Sequence, residues 1–196
     1  ERLLTGEEIH RVLHDGLQQA CLSGKKVLII MPDGTRSIPI GDLFRRIYDL
    51  IGSEVARLDY LIALGTHQPM SDEAIQQRLG ISAEEMATRY AGVHIFNHRW
   101  ERPETFRTLG EISASEIEEM SRGLLSQSVR VTINKMLFDY DQIIVCGPVF
   151  PHEVVGFSGG NKYFVPGVSG PEIIHLTHWL SALITNYHTI GIKETP

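Results

Sequence analysis

Imidazoles, an amine, a guanidinium and a carboxylate recur in this chain where apolar runs give way to turn residues. Asp33 and Arg36 stand in Pro32-Asp-Gly-Thr-Arg-Ser37, His67 in Gly65-Thr-His-Gln-Pro-Met70, and His152 with Lys162 in the stretch from Gly147 to Gly167. A guanidinium can grip a carboxylate or phosphate through two parallel hydrogen bonds, and a nearby carboxylate can hold it or contact a ribose hydroxyl. The plainer reading of Asp33 and Arg36 is an Asp-Gly turn beside a solvated arginine. Imidazole gives or takes a proton at neutral pH, so His67 and His152 suit general acid–base work. Lys162 suits a nucleophile, a covalent cofactor link or an anion site.

The stretch from Gly147 to Gly167 organises the chain. It contains Gly147, Gly156, Gly159, Gly160 and Gly167 with three prolines, so it neither continues a strand nor starts a helix, and its backbone can approach a ligand closely. Gly156-Phe-Ser-Gly-Gly-Asn-Lys162 invites comparison with a phosphate-binding P-loop. That motif places Gly before the lysine and Ser or Thr after it, where this chain has Asn161 and Tyr163. The ATPase reading therefore fails, and no Gly-x-Gly-x-x-Gly fingerprint replaces it. On the helix that follows, His175 and His178 share a face and are either packed and solvated or half of a metal site. His98, in Asn97-His-Arg-Trp100, is read as an edge histidine fixed by hydrogen bonds rather than a ligand contact.

The elements that must position these groups are legible from periodicity. Lys26–Met31, Leu58–Leu64, Val93–Phe96 and Asp141–Cys146 are short unbroken apolar runs of the kind buried parallel strands need, while 128–133 alternates like a half-buried strand. Helices are expected from Thr5 to about Cys21, over Asp42–Ile51, over Asp72–Leu79 behind Ser71, from Ser82 to about Tyr90, and over Pro171–Ile184. Thr5 with Glu8, and Ser82 with Glu85, form capping boxes. Arg107–Ile112 and the Glu-rich 115–120 are read as solvated surface. In an open α/β sheet ligands bind beyond the carboxyl ends of the strands, where these loops fall.

Bulk properties bound the answer. A chain of 196 residues suits one domain, and a net charge of −6 argues against nucleic acid or an anionic membrane surface as a partner. Cys21 and Cys146, far apart, read as small buried apolar residues with no disulfide, pointing to a reducing compartment and hence the cytoplasm. No apolar run is long enough to span a membrane. The chain begins at Glu1 without methionine and ends in a polar tail, so a piece of a longer protein is expected.

Together, Asp33-Gly-Thr-Arg36, Ala63-Leu-Gly-Thr-His-Gln-Pro-Met-Ser71, Asn97-His-Arg-Trp100 and the run from Pro151 to Gly167 resemble the N-terminal domain of the lactate racemase family. The resemblance implies an α/β, Rossmann-like domain, with a mostly parallel central sheet and helices on both faces, forming the first half of a two-domain enzyme. It further implies a nickel-pincer nucleotide joined to Lys162, with His178 as the protein's nickel ligand and Asp33, Thr35, Ser158, Gly159 and Gly160 as cofactor contacts. His67 and His152 would be the acid–base pair, and Arg36 would orient the carboxylate of a small 2-hydroxy acid. The α-hydrogen of such an acid is not acidic at neutral pH, so the implied route is proton-coupled hydride transfer, with two bases on different loops serving the two enantiomers. Implied partners are the protein's own C-terminal domain and the enzymes that make the cofactor. The isolated half would be a poor catalyst. Competing readings are a non-catalytic nucleotide- or anion-binding module and a metal-dependent hydrolase built on His175 and His178.

Overall fold

The apolar runs form the centre of the domain. In the computed structural model, which describes residues 2–183 and 189–194, β1 (Lys26–Pro32), β2 (Arg57–Ala63), β3 (His94–Asn97) and β6 (Gln142–Val145) make a four-stranded sheet in the order β3-β2-β1-β6. Every pairing in it is parallel. A parallel sheet is covered on both faces, which is why β1 has no polar alternation. Val27, Ile29 and Met31 face a cluster with Leu17 of α1 (Gly6–Gln19), Phe44, Ile47 and Ile51 of α2 (Ile40–Ile51), and Ile75 and Leu79 of α3 (Asp72–Leu79). Leu28 and Ile30 face the other way, toward Leu61, Ile133, Leu137, Tyr163 and Val168. Each fully buried side chain of this kind contributes about 1.5–3 kcal/mol, and a one-residue slip would turn every side chain of the strand to the opposite face.

The second face is covered by short helical turns, at Lys135–Asp139 and Gly160–Tyr163, in place of long helices. Lys162 belongs to the second of these turns, so the packing of Tyr163 under the sheet fixes the backbone that carries the amine.

The expected capping boxes are present at Thr5 and at Ser82. The Ser82 helix, α4 (Ala83–Ala87), stops short of Tyr90, which is instead a fully buried anchor against Phe44 and Tyr48. The expected surface stretch 107–112 is a strand, β4 (Phe106–Ile112), mostly exposed but paired antiparallel with β5 (Val129–Asn134). Its ladder shifts register between Thr108 and Gly110, an irregularity that blurs the period-two signal. The acidic stretch is α5 (Ala114–Met120), whose Ile117 is fully buried with Val129, Ile173 and Leu176. The last two belong to α6 (Pro171–Leu183); Ile184, expected to end that helix, lies outside the described residues. A two-residue hairpin of β7 (Pro151–His152) and β8 (Gly156–Phe157) folds the long loop back on itself. Among the described residues no helix is long and apolar enough to cross a membrane, and both cysteines are free; Cys146 packs partly buried against the core, but Cys21, expected to be buried, is exposed just past the end of α1.

Candidate active site

Parallel strands deliver their carboxyl ends to one edge, and the loops leaving them meet there. A cavity of about 430 Å³ is lined by Asp33, Thr35, Arg36, His67, His152, Ser158, Gly159, Lys162 and His178, among others. Residues spread over nearly 150 positions of sequence therefore share one crevice.

Asp33 follows directly on β1 and is buried. One carboxylate oxygen accepts from the Thr35 amide at 3.1 Å and the Thr35 hydroxyl at 2.6 Å. The other accepts from Nδ1 of His67 at 2.6 Å. Burial pushes the Asp33 carboxyl upward, but the bonds from Thr35 and His67 outweigh it and hold the group below the ordinary carboxylate value. The Asp-Gly turn expected from sequence exists, and its carboxylate serves His67 rather than Arg36.

His67 lies beyond β2, its side chain about half exposed. With Nδ1–H donating to Asp33, its free nitrogen is Nε2. His152, on β7, is the converse. Its Nδ1 accepts from the Val154 amide at 3.0 Å, so the ring proton sits on Nε2. Burial, then the charge of Lys162, depresses its pKa, so the neutral ring is favoured. One imidazole thus offers a lone pair and the other an N–H.

Arg36 lies over the Phe150 ring, its guanidinium carbon 5.6 Å from the centroid. Its backbone carbonyl accepts from Nη2 of Arg78 on α3 at 2.9 Å. Lys162 is pushed below its ordinary pKa by burial first and by the Arg36 charge second. His178 donates from Nδ1 to the Ile174 carbonyl, one turn earlier on α6, at 2.6 Å, which leaves Nε2 with a lone pair suited to a metal.

The remaining expected contacts divide. Ser158 accepts from the Phe150 amide and donates to the Pro148 carbonyl, so its hydroxyl braces the loop at the cavity wall. Gly159 has φ of +84°, and a Cβ there would lie 2.6 Å from Val149 Cγ2; only glycine allows this wall. Gly160 lies along a neighbouring groove with Val149, Phe157 and Phe164. His175 is exposed and does not line the cavity, so the pair His175–His178 is not brought together on a site. Among the described residues no group of three or more His, Cys, Asp or Glu side chains could hold a metal ion. His98 continues the edge strand β3 as expected, but its side chain is fully buried there, and it is held by hydrogen bonds.

Sequence reasoning missed Arg78 and the supporting roles of Asn97 and Trp100. Arg78 reads in sequence as a favourable C-terminal residue of α3, and its partner lies 42 residues away.

Fold and site together define an α/β domain with a polar crevice at the carboxyl edge of a parallel sheet, assembled from two histidines, a lysine and an arginine on three loops. Residues 5–191 match the family model for the lactate racemase N-terminal domain, and the chain belongs to that family. It is 26% identical over 180 residues to the lactate racemase of Thermoanaerobacterium thermosaccharolyticum, covering 91% of this chain and 38% of that one. It is also 26% identical over 168 residues to the lactate racemase of Lactiplantibacillus plantarum, covering 84% and 35%. This chain therefore spans little more than a third of the curated relatives it matches. A crystal structure of a Thermotoga maritima protein superposes with a TM-score of 0.86 at 32% identity, covering 98% of this chain and 45% of that one. The lactate racemase apoprotein of T. thermosaccharolyticum superposes at 0.61 with 22% identity, covering 84% and 38%, a likeness of fold.

Proposed function

We propose that this chain is the N-terminal, cofactor-binding half of a 2-hydroxy acid racemase or epimerase. The observation that carries the reading is the arrangement of two imidazoles on one cavity, His67 offering a lone pair and His152 an N–H, beside Arg36 and Lys162. A hydrolase built on His175 and His178 lacks this support, because only one of that pair reaches the cavity.

The residues fit a lysine-tethered nickel-pincer nucleotide. Such a group holds most of its metal's coordination itself and asks the protein for one amine and one imidazole. Lys162 has its amine biased toward the neutral, nucleophilic form by burial and by Arg36, and His178 keeps Nε2 free on the same cavity. When bound, the group would supply an electron-poor ring able to accept the C2 hydrogen with its electron pair.

This chain's own side chains do the rest. Arg36 binds the substrate carboxylate with its guanidinium fork and keeps the crevice cationic toward an acid. His67 takes the hydroxyl proton at Nε2, with the Asp33 carboxylate stabilising the imidazolium that forms. His152 donates a hydrogen bond from Nε2 to the substrate oxygen. It serves as proton acceptor for the opposite enantiomer once Nδ1 has left the Val154 amide and the ring proton has passed, through solvent exchange, from Nε2 to Nδ1, which frees the Nε2 lone pair. A further domain of the same polypeptide closes the crevice, and the whole enzyme works in the cytoplasm, where cofactor-making enzymes load it.

The test uses full-length protein produced with cofactor-making enzymes and a panel of single-enantiomer 2-hydroxy acids followed by optical rotation. Mass spectrometry should find an adduct on Lys162, and active enzyme with an unmodified lysine would end the proposal. His67→Ala and His152→Ala should each abolish turnover of both enantiomers.

A further inference from the structure

The motif Asn97-His-Arg-Trp100 touches none of the reacting groups, yet it reaches both sides of the crevice. At the end of β3, the Asn97 side chain clasps the backbone of Met70 in both directions: the Met70 amide donates to Oδ1 at 2.9 Å, and Nδ2 donates to the Met70 carbonyl at 2.9 Å. Nε1–H of Trp100 donates to the carbonyl of His67 at 3.2 Å. These bonds fix both the carbonyl of His67 and the end of its loop, just before Ser71 caps α3. His98 points elsewhere. It donates from Nε2 to the Ser169 carbonyl at 3.1 Å and accepts at Nδ1 from Asn134 Nδ2 at 3.1 Å. Ser169 lies two residues before α6, the helix that carries His178.

The anchor is rigid for physical reasons. The His98 backbone amide extends the sheet by donating to the Ile62 carbonyl at 3.1 Å, and its ring meets Phe106 edge-on at 5.6 Å between centroids. Its two ring nitrogens have fixed, opposite roles, which a neutral imidazole satisfies without remainder. A direct tie between the two loops comes from the Gly65 amide to the Gly167 carbonyl at 2.9 Å.

We propose that Asn97, His98 and Trp100 are positioning residues: one tetrapeptide, fixed to the sheet, orients His67 through Trp100 and Asn97 and aligns the helix of His178 through His98, and so sets the two against each other across the crevice. The proposal deepens the racemase reading of the site, but its test does not require turnover.

Full-length protein without cofactor, labelled with ¹⁵N-histidine, reports the tautomer of each ring through long-range ¹H–¹⁵N spectra. Trp100→Phe keeps an aromatic ring and removes the indole N–H with the pyrrole part of the ring, so the protein should stay folded with its melting temperature lowered by only a few degrees. The minor, Nε2–H tautomer of His67 should then rise about fivefold, the size of one net hydrogen bond. His98→Leu should perturb His178 and spare His67, while His98→Gln, whose amide can reach Ser169, should restore the parent spectrum of His178. An unchanged tautomer ratio of His67 in Trp100→Phe overturns the proposal, as does a folded His98→Leu protein with an unmoved His178. If His98→Leu does not fold, Trp100→Phe decides the matter alone. Failure of racemase activity would leave these spectra, and this inference, untouched.

Discussion

His67 and Asp33 stand 34 residues apart in sequence and are joined by a hydrogen bond of 2.6 Å between Nδ1 and Oδ2. The bond fixes the imidazole tautomer, leaves Nε2 with the free lone pair, and gives an imidazolium a carboxylate to lean on. Asp33→Asn keeps the shape but lets the amide offer an N–H to the ring. In the full-length enzyme this should lower kcat by about 10²–10⁴-fold with KM changed much less, as expected when a base is held in the wrong tautomer. A kcat within a factor of two or three of the parent would show that the pair is structural only.

The Arg36 charge depresses both Lys162 and His152, after burial in each case. Removing it reverses the sign of that contribution. Arg36→Gln should therefore raise the pKa of Lys162, followed by the ¹³C shift of the reductively methylated amine, and that of His152, followed by NMR titration. The covalent loading proposed for Lys162 should become slower near neutral pH, because less of the amine is unprotonated. A downward or null shift in both groups would contradict the arrangement of charges described above.

His98 makes the domain acid-sensitive. Burial pushes its pKa from 6.5 to about 4, against the opposing pull of the Ser169 carbonyl. In the folded state the ring stays neutral, whereas the unfolded chain takes up a proton below about 6.5. The unfolded state thus binds more protons throughout this window, so stability contributed by His98 is complete above it and is lost as pH falls from about 6.5 to about 4. The loss amounts to at most about 3 kcal/mol. Denaturant melts of the parent and His98→Gln between pH 7 and pH 4 should show the flatter profile for glutamine; parallel profiles would refute the assignment.

Gly159 has φ of +84° and ψ of −174°, a region essentially closed to other residues, and a Cβ would press on Val149 and the Pro148 carbonyl. Gly159→Ala should cost about 1–3 kcal/mol and lower the melting temperature by several degrees. Because Lys162 donates its backbone amide to the Gly159 carbonyl at 3.0 Å, the same change should, if the proposed tether holds, also reduce attachment at Lys162. An unchanged melting temperature with full loading would show that the loop tolerates the side chain.

Local chemistry made much of this molecule readable from its sequence. Apolar runs with no polar alternation specify buried parallel strands, and Thr5 with Glu8 or Ser82 with Glu85 specify helix starts, because each signal is complete within a few residues. The loop from Gly147 to Gly167 announced itself by glycines and prolines, and His67 stood out by following a strand, His152 by lying in that loop. Two local signals misled. Arg107–Ile112 looked like surface because nearly all its side chains are exposed, and only the backbone pairing of β4 with Val129–Asn134 makes it a strand. The helix at Ser82 stopped early because Tyr90 is worth more buried among Phe44 and Tyr48 than on a further turn.

The tertiary structure alone decided which groups share a crevice and in what protonation arrangement. That Asp33 serves His67 and not its neighbour Arg36, that Val154 fixes the proton of His152 on Nε2, that His178 faces the cavity while His175 does not, and that Arg78 and Trp100 hold backbone carbonyls of the site all depend on contacts between distant segments. Composition and spacing along the chain carry the strength of each element. The direction in which a hydrogen-bonding group points depends on the register of the sheet and the path of the returning loop, and these are settled only when the whole core packs.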